Sequence, residues 1–356
     1  MHEILSEILA EAPRYNDDGA GRYNAGLLNA ARVRPAFFDV SCLIYRLLYA
    51  KADDYVRKCG LDTDKISNWA AADVVSDVAD ACRHCACAPV LCFDSARSFR
   101  KEEIYPEYKA GRGAQKKSVN EELVLSCKPN VVRLLKLVYA PGYKMQAYCV
   151  HGYESDDIIA SFVLGLKQHG LCEEAAFQRQ VVIVSSDHDL HQLVFDDVHW
   201  ADVSTGALCQ AEDLFKHNGI HPKDIVAAKC VGGCTSDNIG NVTGCGEVTV
   251  KEVLSKRSDD VKVKKARAAL QSEEGEKILR RNLKLIRLPY SGAQPMLPLR
   301  LSKKWPVAGV PEDMAALMQS HGIPQSSWPS FADITLPQPQ GAIPSCGYAK
   351  KGTSQT

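Results

Sequence analysis

Gly152-Tyr153-Glu154-Ser155-Asp156-Asp157 runs directly into Ile158-Ile159-Ala160-Ser161-Phe162-Val163-Leu164, placing three carboxylates within four residues at the start of an apolar helix. Acids at a helix N-terminus accept from free backbone N–H groups and face the positive end of the helix dipole. One or two suffice for that. Three so close repel one another unless positive charge sits among them. Outward from this stretch the same arrangement recurs. Ala36-Phe37-Phe38-Asp39, Pro89-Val90-Leu91-Cys92-Phe93-Asp94 and Gln180-Val181-Val182-Ile183-Val184-Ser185-Ser186-Asp187 are apolar runs closing on acids, with Asp189 two positions further on. Runs of this length and composition read as buried strands. Lys144 to Tyr148 reads as a strand leading into the cluster, and His199 to Val203 as an edge strand. Helical spacing over 42–59, 69–85 and 131–138 separates them. Apolar strands alternating with amphipathic helices predict an α/β fold, a central mostly parallel twisted sheet flanked by helices.

The chain of 356 residues is long enough for one large or two moderate domains. No apolar run is long enough to span a membrane, and the acidic start Met1-His2-Glu3 lacks the basic region of a secretory signal. A cytoplasmic location is the expectation. Fourteen cysteines then read as reduced thiols, most of them inside apolar elements. The Cys82-Arg83-His84-Cys85-Ala86-Cys87 spacing suits zinc, but no second pair follows to close a tetrahedral site, and packing thiols are the better reading. Forty-three basic residues balance forty-three acidic ones, so net charge alone announces no polyanion partner. The charge is nonetheless segregated: Arg97 to Lys117 and Lys251 to Arg267 are basic, while the acids gather elsewhere.

Residues 1–34 read as an N-terminal extension, and 35–210 as the α/β unit. Within it, residues 95–122 form a basic, aromatic insertion with little core periodicity, a pattern that is usually functional in a compact domain. Residues 211–288 change to successive helices around the Gly, Thr and Asn-rich segment Gly232 to Gly246. Residues 289–356 are Pro-rich, with a tail expected to be disordered.

In an open parallel sheet, ligands bind beyond the carboxyl ends of the strands. Asp39, Asp94, Glu154, Asp156, Asp157, Asp187 and Asp189 all fall there, delivered by four separate segments. So many carboxylates require cations, and hard oxygen donors favour Mg²⁺ or Mn²⁺ over zinc. Such a centre suits metal-assisted phosphoryl chemistry. The basic insertion adds charge for a phosphate, and Tyr105 and Tyr108 add faces for a base. Small residues before the helix near Val248, with Lys251 in its first turn, allow close approach of backbone N–H groups to another phosphate.

These segments together resemble the 5′-nuclease (flap endonuclease) superfamily, above all bacteriophage 5′–3′ exonucleases and the 5′-nuclease domain of bacterial DNA polymerase I. Phe38-Asp39-Val40-Ser41 is similar to the first metal-binding strand end. Phe93-Asp94, Phe99-Arg100-Lys101 and Pro106-Glu107-Tyr108-Lys109-Ala110-Gly111-Arg112 resemble the second acid and the basic arch. Gly152 to Asp157 resembles Gly-x-Glu-Ala-Asp-Asp with Ser155 for alanine, and Asp187-His188-Asp189 resembles the Asp-x-Asp motif. Ser236-Asp237-Asn238-Ile239 with Gly244-Cys245-Gly246 is similar to a helix–three-turn–helix, and Arg281 to Ile286 to the closing helix. The resemblance covers about 37–288. It implies a PIN-like 5′-nuclease core with a C-terminal helix–three-turn–helix subdomain. It also implies two Mg²⁺ ions, replaceable by Mn²⁺, on Asp39, Asp94, Glu154, Asp156, Asp157, Asp187, Asp189 and Asp237, and a K⁺ at the helix–three-turn–helix. Lys109, Arg112 and Asp156 are the implied catalytic residues. Arg100, Lys101, Tyr105, Tyr108, Lys109, Arg112, Lys116, Lys117, Gly244, Gly246 and Lys251 are the implied DNA contacts. The expected substrate is DNA with a 5′ flap, nick or free 5′ end, extending to RNA in RNA–DNA hybrids, with no membrane involved.

One departure concerns Gly233-Cys234-Thr235-Ser236-Asp237, where cysteine replaces a carboxylate of the second metal site. The expectation is weaker binding of the second ion, or a shift toward softer metals. A PIN-type single-strand RNA nuclease and a DNA-binding protein that has lost its second metal site are the competing readings.

Overall fold

The computed structural model describes residues 34–85, 87–110, 119–138, 146–168, 181–195, 197–202, 207–255, 260–290 and 319. The expected N-terminal extension up to residue 33 and the Pro-rich region beyond Tyr290, apart from Gln319, lie outside them.

The chain opens with strand β1 (Arg34–Asp39) and helices α1 (Val40–Ala50), α2 (Ala52–Cys59) and α3 (Thr63–Cys85). Strand β2 (Cys87–Phe93) leads to a single wide turn at Arg100–Ile104, and helix α4 (Val119–Val138) returns to β3 (Gln146–Cys149). Helix α5 (Ser155–Gln168), β4 (Val181–Val184), a 3₁₀ turn at His188–Leu193, β5 (Val198–Ala201) and β6 (Leu208–Cys209) complete the sheet half. Helices α6 (Ala211–Asn218), α7 (Ile225–Gly232), α8 (Glu247–Ser255), α9 (Val261–Leu270) and α10 (Glu273–Ile286) follow.

The sheet order is β3-β2-β1-β4-β5-β6, parallel throughout except for the β5–β6 pair. β1 is central because both of its faces are apolar. Phe37 packs to one side, stacked on Phe162 of α5 at 5.3 Å, while Phe38 joins the layer of α1, α3 and α4 on the other. The sheet is thus covered on both faces, as a parallel sheet requires. Neighbours β2 and β4 sit on opposite sides of β1, so the strand order reverses there and opens a crevice above their carboxyl ends. The helical segment builds a third apolar cluster around Val231, Val242 and Leu279.

Several boundaries differ from the sequence reading. The helix expected over 42–59 is two helices, because the backbone turns at Lys51, whose ammonium meets Asp73 at 2.9 Å. α4 begins at Val119, inside the stretch expected to be irregular, and carries Pro129 without ending there. β5 is not the edge. The edge is β6, two residues long and antiparallel, and too short to leave a periodic signal.

Candidate metal centre

Each acid arrives at the crevice by a local mechanism. Asp39 ends β1 and caps α1, accepting from Cys42 N at 3.2 Å. Its carboxylate also accepts from the hydroxyls of Ser155 at 2.9 Å and Ser185 at 3.2 Å. Asp94 follows β2 and accepts from Ser155 N at 2.9 Å. Ser155, which stands where the resemblance has alanine, therefore bridges Asp39 and Asp94. Asp187 follows β4 and caps the 3₁₀ turn through Asp189 N at 2.9 Å.

The opening cluster divides. Successive helical residues point about 100° apart, so Asp156 and Asp157 cannot face the same way. Asp157 lies three residues into α5 and accepts from the cap residue Glu154 N at 3.3 Å, half of a capping box. It is buried and holds Arg100 in a two-pronged pair at 2.5 and 2.6 Å, while accepting from Tyr290 N at 2.6 Å. Its expected role as a metal ligand is corrected: both oxygens are spent on structure. Glu154 and Asp156 stand further from the same guanidinium, 3.6 and 3.7 Å from Arg100 Nη1. Glu154 meets the Lys109 ammonium at 2.6 Å and the Tyr108 hydroxyl at 3.2 Å.

Two expected DNA contacts are corrected with it. Arg100 is 1% exposed, its Nε donating to Leu285 O at 3.0 Å, and cannot reach a nucleic acid. Tyr108 is buried in the helical cluster, with no face for a base. Tyr105 is half-buried and one face is covered by the Arg281 guanidinium at 4.8 Å. Lys101, Gly244, Gly246 and Lys251 are exposed. Arg112, Lys116 and Lys117 lie outside the described residues, as does the Cys85 side chain of the Cys82–Cys87 spacing.

The electrostatics follow from burial. Desolvation first, then Asp94 and Asp187 beside it, push the Asp39 carboxyl up to about 7. Burial likewise raises Asp156 well above the usual carboxylate range, with Arg100 opposing and Asp157 and Glu154 adding to the rise. Burial also works against Asp94, but the Ser41 hydroxyl, Ser155 N, Lys128 and Lys109 outweigh it and leave its carboxyl low. Glu154 is likewise held low against burial by Lys109 and Arg100. Lys109 is thereby a pivot. Its charge survives burial because Glu154, Asp156 and Asp237 surround it.

Asp237 belongs to a second group. Among the described residues, Asp189, Cys234 and Asp237 bring three ligand atoms within 4.8 Å of one another. The acids of the first group are spaced more widely. A loop following α7 presents Cys234 and Asp237. Gly233 enters it at φ 70°, where an added Cβ would lie 2.4 Å from Ile239 O, so only glycine fits. Lys109 N donates to Asp237 O at 2.9 Å and Asn238 Nδ2 to Glu107 O at 2.9 Å, tying the base of the insertion to this loop. Lys229, which no sequence signal marked, reaches across from α7 to the Asp189 carboxylate. Beside this group a cleft of about 860 Å³ runs between His188, Asn218, Lys229, Gly246 and Lys251.

Buried carboxylates that resist ionisation, alongside a compact trio of donors, fit divalent cations. The sign of the consequence can be worked out. Asp39 binds its proton more tightly folded than unfolded, so its stabilising contribution is complete below about pH 4 and fades as pH rises through about 7. Asp94 works the other way, but only at the acid end. Without divalent ions, stability should fall between about pH 5 and about pH 8, and a bound divalent ion should restore it. The rise in melting temperature on adding a divalent ion is therefore expected to grow over that range. Equal rises at both ends, measured against EDTA, would contradict this account of Asp39.

Residues 35–221 match the family model described as 5′-3′ exonuclease, N-terminal resolvase-like domain. The chain belongs to this family. A 5′-3′ exonuclease of Buchnera aphidicola from Schizaphis graminum is 31% identical over 170 residues, 48% of this chain and 53% of that protein. DNA polymerase I of Bacillus caldotenax is 27% identical over 212 residues, 56% of this chain and 22% of that one. The chain thus spans about half, or less, of the length of these curated relatives. The phage T5 5′-exonuclease with divalent zinc bound superposes with a TM-score of 0.53 at 20% identity, covering 72% of this chain and 90% of that one. That likeness shows the family fold, with its mostly parallel sheet between helical layers. No helix among the described residues is long and apolar enough to cross a membrane.

Proposed function

We propose that the chain is a divalent-metal-dependent 5′–3′ exonuclease or flap endonuclease that hydrolyses DNA phosphodiester bonds near a 5′ end. The observation that carries this reading is the convergence of Asp39, Asp94, Glu154, Asp156 and Asp187 from four strand ends, with Lys109 ion-paired to Glu154 at 2.6 Å beside them. Family membership and the metal-bound, DNA-processing relatives support it. The helical half after β6 weighs against a single-strand RNA nuclease.

In this reading Asp39, Asp94, Glu154, Asp156 and Asp187 would hold one Mg²⁺, and Asp189, Asp237 and Cys234 a second ion, with Mn²⁺ as a substitute. Ions bound there would supply a lowered pKa for a bound water and neutralisation of charge on the scissile phosphate. The protein's own part is positional. Lys109 sits between the two acidic groups and moves from Glu154 toward a phosphate oxygen as substrate arrives, stabilising the charge that develops on it. Arg112 completes that contact from the insertion. Lys101 lies on the same approach. Gly244, Gly246 and Lys251 take the phosphates of the downstream duplex, with K⁺ on the carbonyls of a helix–three-turn–helix. RNA in hybrids is a further substrate, and the setting is cytoplasmic.

The test is a cleavage assay on matched 5′-flap, nicked, single-stranded and hybrid substrates with Mg²⁺ and Mn²⁺. Asp156→Ala should abolish turnover while flap binding persists in a gel-shift assay. Lys109→Ala should slow turnover about 10²-fold or more with metal affinity intact. Undiminished cleavage by Asp156→Ala would sink the proposal.

A further inference from the structure

The first group of ligands is made of carboxylates alone; the second includes the Cys234 sulfur. Asp189, Cys234 and Asp237 draw to within 4.8 Å of one another although they come from different parts of the chain. Asp189 is fixed by the 3₁₀ turn that Asp187 caps. Cys234 is pinned by two backbone hydrogen bonds of 2.9 Å with Ile239. Asp237 is buried, and Asn238 at φ 59° closes the turn that carries it. The donor set is therefore held before any ion arrives. A positive charge already sits beside it: the Lys229 ammonium pairs with the Asp189 carboxylate.

Resting on the metal-centre reading above, we propose that Asp189, Cys234 and Asp237 form a mixed carboxylate–thiolate site for a borderline or soft divalent cation, such as Co²⁺, Zn²⁺ or Cd²⁺, in preference to Mg²⁺. Mg²⁺ demands near-octahedral oxygen ligation, and sulfur is a poor match for it; thiolate selects softer ions. On ligation a metal–sulfur bond forms, the thiol proton passes to solvent, and no oxidation state changes. Two carboxylates and a thiolate carry three formal negative charges against two on the ion. Lys229, paired with Asp189, supplies the balancing charge.

The test uses the full chain, stripped of metal and titrated with Cd²⁺ or Co²⁺ while thiolate-to-metal charge-transfer absorption is followed. The parent should show a saturable band that Cys234→Ser removes, with the circular dichroism of both proteins alike. Cys234→Asp should lose the same band and bind Mg²⁺ on the order of tenfold more tightly. A band undiminished in both variants would assign the sulfur to other cysteines and overturn the proposal. So would Mg²⁺ binding the parent as tightly as Cys234→Asp. A Cys234-dependent band without DNA cleavage would uphold this site and sink the nuclease reading. Cleavage with Mg²⁺ but no such band would do the reverse.

Discussion

Replacing Asp39 with asparagine is expected to abolish cleavage and, at the same time, to stabilise the metal-free protein. The two effects share a cause. The Asp39 carboxylate is 5% exposed and faces Asp94 and Asp187, so its ionisation at neutral pH is resisted by burial first and by like charge second. A rise to about 7 corresponds to about 4 kcal/mol of lost stability once the group is forced to ionise. The amide is the same size and removes the charge. Its oxygen still accepts from Ser155 and Cys42, and its NH₂ can donate to the Ser185 hydroxyl that now donates to Asp39. Near pH 8 in EDTA, the melting temperature should therefore rise by roughly 5–10 °C. Turnover with Mg²⁺ should fall by about 10³-fold or more, because an amide is a poor ligand for a hard cation. Activity within tenfold of the parent would remove Asp39 from the metal centre. A lowered melting temperature would refute the account of its burial.

Arg100→Met should have the largest effect on folding. The family resemblance implies a DNA contact for Arg100, which predicts weaker DNA binding at unchanged stability. The structure predicts the opposite. Arg100 and Asp157 are both about 1% exposed, and their pair joins the start of the insertion to α5, to Leu285 O and to the segment at Tyr290. Removing one partner strands a buried charge, at a cost of about 3–5 kcal/mol. A loss of roughly 10 °C in melting temperature follows. Adding Asp157→Asn to Arg100→Met removes the orphaned charge and keeps an acceptor for Tyr290 N. The double variant should recover most of the loss, a coupling that a double-mutant cycle measures. Additive losses would mean that the pair is not a unit.

The parts of the centre legible in the sequence share one physical property: each is local. A buried parallel strand is apolar on both faces, so it shows as an unbroken run, and the first acid after it marks the carboxyl end. Asp39, Asp94 and Asp187 were found that way. Ser155 and Ser185 were visible beside the acids, but nothing local says that their hydroxyls hold Asp39. The division of labour among Glu154, Asp156 and Asp157 was within reach, since adjacent helical residues diverge and the third position of a helix is where a capping acid sits. Three acids within four residues nonetheless read as one group.

What the sequence alone determined is the five parallel strands, the helical regions between them and which strand ends carry acids, because hydrophobic period and capping act over a few residues; β6 and the break at Lys51 left no such trace. What only the tertiary structure decided is which charges meet. Arg100 finds Asp157 across 57 positions, Lys109 finds Glu154 across 45, and Lys229 finds Asp189 across 40. Whether a cation is buried against one acid or left free for a phosphate depends on the packing of sheet against helical half, and packing leaves no periodic trace in the chain. The stretch from Glu154 to Asp157 announced a concentration of charge, but its partners decided that Asp157 holds the fold together through Arg100 while Glu154 pairs with Lys109.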